Sequence, residues 1–148
     1  MRQEQYTFAS ENQSRYYEFY SMGPKGRIKK VVKFIRFKQL KTESYNLVFG
    51  DWNEAENRID DLVNTNNGDR DKVLATVAAT IIDFMKKHPT VNLFVTGSTP
   101  SRNRLYQIGI ANMLEEISLL YNIRGFFDGE WRPFQKGVNY IAFLLKCK

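Results

Sequence analysis

The stretch that most constrains the fold is Val91 to Arg104, VNLFVTGSTPSRNR, an apolar run that passes through small residues straight into a helix start. Thr99 before Pro100 is a strong start signature. A threonine oxygen accepts early backbone N–H groups, and a proline at the first helical position needs no hydrogen bond. Val91 to Thr96 therefore reads as a buried strand. Pro100 to about Tyr121 reads as a long helix with Leu105, Ile108, Met113, Ile117 and Leu120 on its inner face and Tyr106, Ile110 and Tyr121 nearby.

The other segments arrange around this junction. Tyr6 to Ser10 and Arg15 to Ser21 read as short strands, and Gly23-Pro24-Lys25-Gly26 as a turn. Arg27 to Lys38 carries apolar residues at even positions (Ile28, Val32, Phe34) and at odd ones (Val31, Ile35, Phe37), the pattern of a central strand. Tyr45 to Phe49 completes an antiparallel meander. The acidic run from Asp51 to Asn64 predicts one or two irregular helical turns, and Asn64 to Asp69 a loop. A second helix is predicted from about Asp71 to Lys87, capped by Asp69 and stopped by Pro89. Ile123 to Phe127 and Val138 to Leu145 read as the last strands, with Trp131 in the loop between them. The predicted fold is one α+β domain over residues 1–148: a mostly antiparallel sheet of about five to six strands with two long helices packed on one face.

With 148 residues, 43% of them hydrophobic, the chain can bury one real core. Its net charge of +6 favours anionic partners and is unevenly placed. Residues 1–50 hold ten Lys/Arg against four acids, residues 51–71 two against seven, and residues 72–148 ten against five. The acidic middle reads as a solvated loop balancing neighbouring bases, or as an element facing a basic cleft. A single cysteine, Cys147, and no opening signal pattern predict a cytoplasmic protein. No membrane partner is expected, because the longest mostly apolar run, Val73 to Met85, falls short of the ~20 residues a bilayer requires.

The junction is also the best candidate anion site. Gly97 and Ser98 let the backbone turn closely, so the N–H groups beyond them and the Ser98, Thr99 and Ser101 hydroxyls converge. Arg102 and Arg104 break the preference of a first turn for acids, at a cost of up to about 1 kcal/mol each. A negative partner accounts for them. It is either an external phosphate, matched by the guanidinium fork, or an internal carboxylate: Asp51, Asp60 or Asp61.

Several chemistries lack their motifs. The GST loop has neither the spacing nor the lysine of a P-loop, and it does not fit a GxGxxG dinucleotide fingerprint. His88, the only histidine, sits in the last turn of a helix and reads as structural. Asp51, Asp60, Asp61, Asp69 and Asp71 do not follow a calcium-loop pattern, and no metal or cofactor is predicted. Cys147 has no cationic pocket in the sequence and reads as inert.

One further pattern has two readings. Arg27, Lys29, Lys30, Lys33, Arg36, Lys38 and Lys41 interleave with Phe34 and Phe37 and follow Tyr16, Tyr17, Phe19 and Tyr20. Such strands stack bases and hold phosphates, or they are core strands with solvated ends. No RNP-type glycine-aromatic signature accompanies them. Trp52 and Trp131 suit either stacking on a base or packing a loop.

Three blocks carry a resemblance: YNLVFGD at Tyr45 to Asp51, the run from Ile59 to Val77 containing NNGD and KVLATV, and GSTPSRNRLY at Gly97 to Tyr106. Together they resemble an uncharacterised family of small bacterial proteins, best known from the Bacteroidetes and classed as a domain of unknown function, from about Tyr6 to Gly125. The resemblance implies that Asp51, Asn67, Asp69, Lys72, Ser98, Arg102, Arg104 and Tyr106 lie in family-marking segments, and it assigns them no roles.

The expected function is binding of a phosphate-bearing ligand, nucleic acid or nucleotide, at Gly97 to Arg104, walled by Asp51 and the Asn66 to Lys72 loop. The alternative is a non-enzymatic interaction or oligomerising module, meeting a protein partner or a second copy, with these polar residues forming an internal network. A metal-assisted nuclease or nucleotidyl transferase on Asp51, Asp60 and Asp61 ranks below both. Whether the chain is an enzyme is left open.

Overall fold

The computed structural model describes residues 4–11, 13–38, 42–60 and 67–148. Its elements in chain order are β1 (Ala9–Glu11), β2 (Tyr16–Gly23), β3 (Gly26–Lys38), β4 (Glu43–Asn53), β5 (Arg58–Asp60), α1 (Arg70–Lys87), β6 (Asn92–Val95), α2 (Pro100–Asn112), α3 (Leu114–Leu120), β7 (Tyr121–Phe127), β8 (Glu130–Pro133) and β9 (Phe143–Cys147). The strands form one sheet in the order β1-β2-β3-β4-β6-β9-β7-β8, with β5 paired to the far end of β4. Every pairing is antiparallel except β4 with β6, whose connection runs through α1.

The mixed α/β class and the antiparallel meander match the sequence reading, and the details differ in five places. Nine strands form among the described residues rather than five to six. In its described part, up to Asp60, the acidic run contributes β5 instead of helical turns, because Asp51, Trp52 and Asn53 pair with Asp60, Ile59 and Arg58; its remainder lies outside the described residues. Trp131 lies in β8, paired with Phe126, and not in a loop. The helix expected from Pro100 to Tyr121 is two helices. It breaks at Met113, whose N–H is shared between the carbonyls of Gly109 and Ile110 at 3.2 Å each, and Tyr121 already belongs to β7.

The last strand is also shifted, to Phe143–Cys147 from the predicted Val138 to Leu145. Side chains of α2 hold the segment before it. Asn103 Nδ2 donates to the Tyr140 carbonyl at 2.7 Å, Gln107 Nε2 donates to the Val138 carbonyl, and the Tyr140 N–H donates to Gln107 Oε1 at 3.0 Å.

The three helices cover one face of the sheet. Tyr17, Phe19, Val32, Phe34, Tyr45, Leu47, Phe49, Leu93, Phe143 and Leu145 on that face join Val77, Ile81, Phe84, Ile110 and Ile117 in a single core. Phe84 stacks on Phe34 with ring centres 4.0 Å apart and meets Tyr45 edge-on at 5.1 Å. His88 packs on Phe84 and Tyr45, and its Nε2 lies 2.9 Å from the Gln13 carbonyl oxygen. Because side chains alternate along a strand, the residues between these core positions lie on the face without helices. No helix among the described residues is long and apolar enough to cross a membrane.

Candidate functional site

At the strand-to-helix junction Thr99 acts as the sequence predicts: extended at φ −134°, it takes the Arg102 N–H on its side-chain oxygen at 3.1 Å. Its carbonyl accepts the Asn103 N–H at 2.9 Å. The Gly97 N–H donates to Asn103 Oδ1 at 3.1 Å, and a Cβ on Gly97 would stand 2.2 Å from the Asn103 nitrogen. Glycine is therefore required here to bring the loop onto the helix, and Asn103 takes up the Gly97 N–H. Asn103 itself escaped the sequence reading. Its signal is an asparagine in an early helical turn, where the side chain competes for backbone groups.

Arg102 and Arg104 do not converge. Two positions apart on an α-helix they point about 200° from each other. Arg102 is 7% exposed; it lies over the Phe49 ring at 5.5 Å and donates from Nη1 to the Phe49 carbonyl at 3.4 Å. Arg104 is exposed and lines a separate cleft of about 730 Å³ with Gly97, Ser98, Thr99, Ser101 and the 139–141 segment.

Arg102 instead joins a cleft of about 810 Å³ between α2 and the first turn of α1, shared with Lys30, Asn67, Asp69, Lys72 and Tyr106. Several residues flagged separately in the sequence thus meet there. Asn67 is a latch: its Nδ2 donates to Ser21 Oγ at 3.1 Å and to the Gly26 carbonyl at 2.9 Å, and its Oδ1 accepts the Lys25 N–H at 2.7 Å. A side chain on Gly23 would strike the Asn67 carbonyl, 1.9 Å from an ideal Cβ. Asp69 occupies the cap position of α1 and makes no side-chain cap bond. It accepts the Tyr6 and Ser21 hydroxyls, each at 2.5 Å, and burial together with that bond raises the pKa of the Tyr6 phenol. Lys72 Nζ stands 4.3 Å from the Tyr6 ring centre.

Asp51 sits on the covered face and is ion-paired with Lys30, the two side chains being 14% and 7% exposed. Asp60 is its register partner on β5, and Asp61 lies outside the described residues. Among the described residues no three His, Cys, Asp or Glu side chains gather to hold a metal ion.

The basic, aromatic segment sorts cleanly between the two faces. Tyr17, Phe19, Lys30 and Phe34 point to the helices; Tyr16, Tyr20, Lys29, Lys33 and Phe37 point to the open face, as the pairing of Tyr16 with Lys33 and Tyr20 with Lys29 requires. Cations and rings already alternate there. Arg27 lies 3.8 Å from the Tyr20 ring centre, Lys29 5.2 Å from Trp52 and Lys33 5.8 Å from Tyr16. Burial pulls the Lys29 pKa down, but Tyr16 and Glu18 outweigh it and raise it, so the ammonium stays charged.

Across the sheet the rings continue. Phe37 meets Phe94 at 5.5 Å, Phe94 meets Trp131 at 5.8 Å, and Trp131 meets Phe126 at 5.1 Å. Arg124 and Lys146 share this side by register with Leu144 and Asn122. Among the described strand residues the open face therefore carries Arg27, Lys29, Lys33, Arg124 and Lys146 against Glu11 and Glu18. Both tryptophans of the chain are on it. The sequence could not show that Trp131 and Phe94 face the same side as Tyr16, because that depends on register across strands far apart in the chain.

A model of the family described as "Family of unknown function (DUF6934)" matches residues 2–148, and the chain belongs to that family. The match agrees with the resemblance carried by the three sequence blocks and extends beyond Gly125. Searches of the curated proteins and of the solved structures returned no match.

Proposed function

We propose that this member of the DUF6934 family binds single-stranded nucleic acid across the helix-free face of its sheet. One observation carries the reading: on that face aromatic rings alternate with cations, five bases standing against two carboxylates. Bases of any sequence stack on rings, at ~1–3 kcal/mol per base, while lysine and arginine neutralise the backbone phosphates. Unpaired bases are needed for stacking, so a duplex is the poorer ligand. The paired cations are already seated over Tyr16, Tyr20 and Trp52, and a base that takes the ring frees the cation for a phosphate.

The test is titration with oligothymidylate, its duplex, and rising salt, reading the emission of Trp52 and Trp131. Quenching by the single strand that weakens in Trp131→Ala supports the reading. Self-association of the protein through this face, with no response to the strand, contradicts it.

A second reading, a mononucleotide or other phosphate-bearing small ligand in the cleft between α2 and the first turn of α1, is favoured by one observation. Arg102 and Lys30, both buried, line the cleft that the first turn of α1 overhangs. The Gly97, Ser98, Thr99, Ser101 and Arg104 side of the helix start is a separate locus in this reading, because it opens on the other cleft. A mononucleotide that raises the melting temperature of the wild type and not of Arg102→Met would support this reading. An equal rise in both would count against it.

A further inference from the structure

The pairing of β2 with β3 ends at Tyr16 and Lys33, with a last bond from the Phe34 N–H to the Arg15 carbonyl at 2.9 Å, whereas β3 runs on to Lys38 beside β4. This leaves a step in the sheet. A pocket of about 450 Å³ opens there, lined by Glu11, Arg15, Tyr16, Lys33, Arg36 and Tyr45. Its size lies inside the roughly 300–1,000 Å³ range of small-ligand sites. Arg15 hangs over it, with its guanidinium 5.6 Å from the Tyr45 ring centre. The Arg15 Nε is buried and has no hydrogen-bond partner among the described residues. A buried donor of this kind is costly unless something accepts from it.

Three cations flank this pocket from the two sides of the step, Lys33 from the open face and Arg15 and Arg36 from the side of Tyr45. Lys33 is a point charge beside Tyr16, Arg15 supplies the orphan donor, and Arg36 is solvent-exposed and stands 3.5 Å from Glu43. Glu43 also accepts the Tyr45 hydroxyl at 2.9 Å, and the carboxylate that lines the pocket itself is Glu11. A partner that satisfies Arg15 and engages Arg36 and Lys33 together must be an anion that presents several acceptor oxygens. A phosphomonoester does so, with about −1.5 to −2 charges near neutral pH and three acceptor oxygens. An internal phosphodiester offers fewer of both.

Tyr16 and Lys33 belong to this pocket and to the open face, so the step is where a strand lying on that face would end. Resting on the nucleic-acid reading above, we infer that the Arg15–Lys33–Arg36 pocket receives the terminal phosphate of a bound single strand.

The experiment compares three oligothymidylates of one length, with a 5′-phosphate, with a 3′-phosphate, or with hydroxyls at both ends, against wild type, Arg15→Met and Arg36→Gln. The wild type should bind one phosphorylated strand about tenfold tighter than the hydroxyl-ended one, the scale of one charge-assisted hydrogen bond. Arg15→Met should abolish that preference and Arg36→Gln should reduce it, with the hydroxyl-ended strand keeping its affinity. Arg36 is 63% exposed in its side chain, so its variant answers the question even where Arg15→Met fails to fold. Equal binding of all three strands by the wild type overturns the pocket and leaves the open-face reading intact. A preference that survives in Arg36→Gln and Arg15→Met alike overturns it too. Binding of no strand removes the open-face reading and the pocket's role with it.

Discussion

Lys29 and Lys30 are neighbours in β3 and face opposite sides of one sheet. Lys30 lies under α1 and α2, nearly shut off from water, and is matched by Asp51. Lys29 lies on the face without helices, between Glu18 at 3.5 Å and the Trp52 ring. The same side chain is a structural cost on one face and an accessible charge on the other. What separates them is the helix layer, which turns one side of the sheet into a core with an internal ion pair and leaves the other without helices.

Breaking the covered side should have the largest effect. Lys30→Met leaves the Asp51 carboxylate buried without its partner and should lower stability by ~3–5 kcal/mol in urea unfolding. Lys29→Met should change it by no more than about 0.5 kcal/mol, as surface substitutions do. Equal losses would erase the distinction between the faces. Next comes the latch between the loop before α1 and the β2–β3 turn. Asn67→Ala strips partners from Ser21, the Gly26 carbonyl and the Lys25 N–H and should cost ~1–3 kcal/mol.

The open side responds in binding and not in stability. Trp131→Ala should weaken single-strand binding by ~1–3 kcal/mol, and removal of Lys33 or Arg124 should each flatten the salt dependence by about 0.7 in slope. Smallest is a pH effect confined to the covered side. Burial and the hydrogen bond to Asp83 raise the Tyr17 phenol above its ordinary value of 10.0. The unfolded chain therefore releases this proton first, so its contribution is full below pH 10 and is lost as pH rises above it. Tyr17→Phe should show a shallower alkaline loss of stability than the wild type.

How much of this was legible in the sequence follows from the range of the forces involved. Local signals worked. Thr99-Pro100 marked the start of α2, apolar spacing marked α1, and alternation marked β3 as a strand with neighbours on both sides. Pairing-dependent elements did not. β5 is polar and exists because it completes the end of β4, and β8 exists because Trp131 pairs with Phe126. Of the inner face that periodicity predicts, Met113 and Ile117 are buried, whereas Tyr106 and Ile110 take the places of Leu105 and Ile108 and Leu120 is exposed; the break at Met113 keeps Arg102, Tyr106, Ile110, Met113 and Ile117 on one side, so periodicity gives no warning of it.

The site followed the same division. Asn67, Asp69, Lys72, Arg102 and Tyr106 were each flagged and do share a cleft. Arg102 and Arg104 were read as a pair although helical geometry points them apart. The sequence named Tyr16, Tyr20, Lys29, Lys33 and Phe37 within a longer aromatic and basic run, but which alternate residues face outward is decided by where the helices land. Arg15 carried no signal at all, since its significance lies in where β2 stops relative to β3.

The most direct test is emission of the wild-type protein, whose two tryptophans both lie on the open face, during titration with oligothymidylate and with its duplex at several salt concentrations. Saturable quenching by the single strand, weaker for the duplex, with log affinity falling linearly in log salt, is the predicted result. Emission unchanged by the single strand at low salt, or an equal response to the duplex, would contradict it.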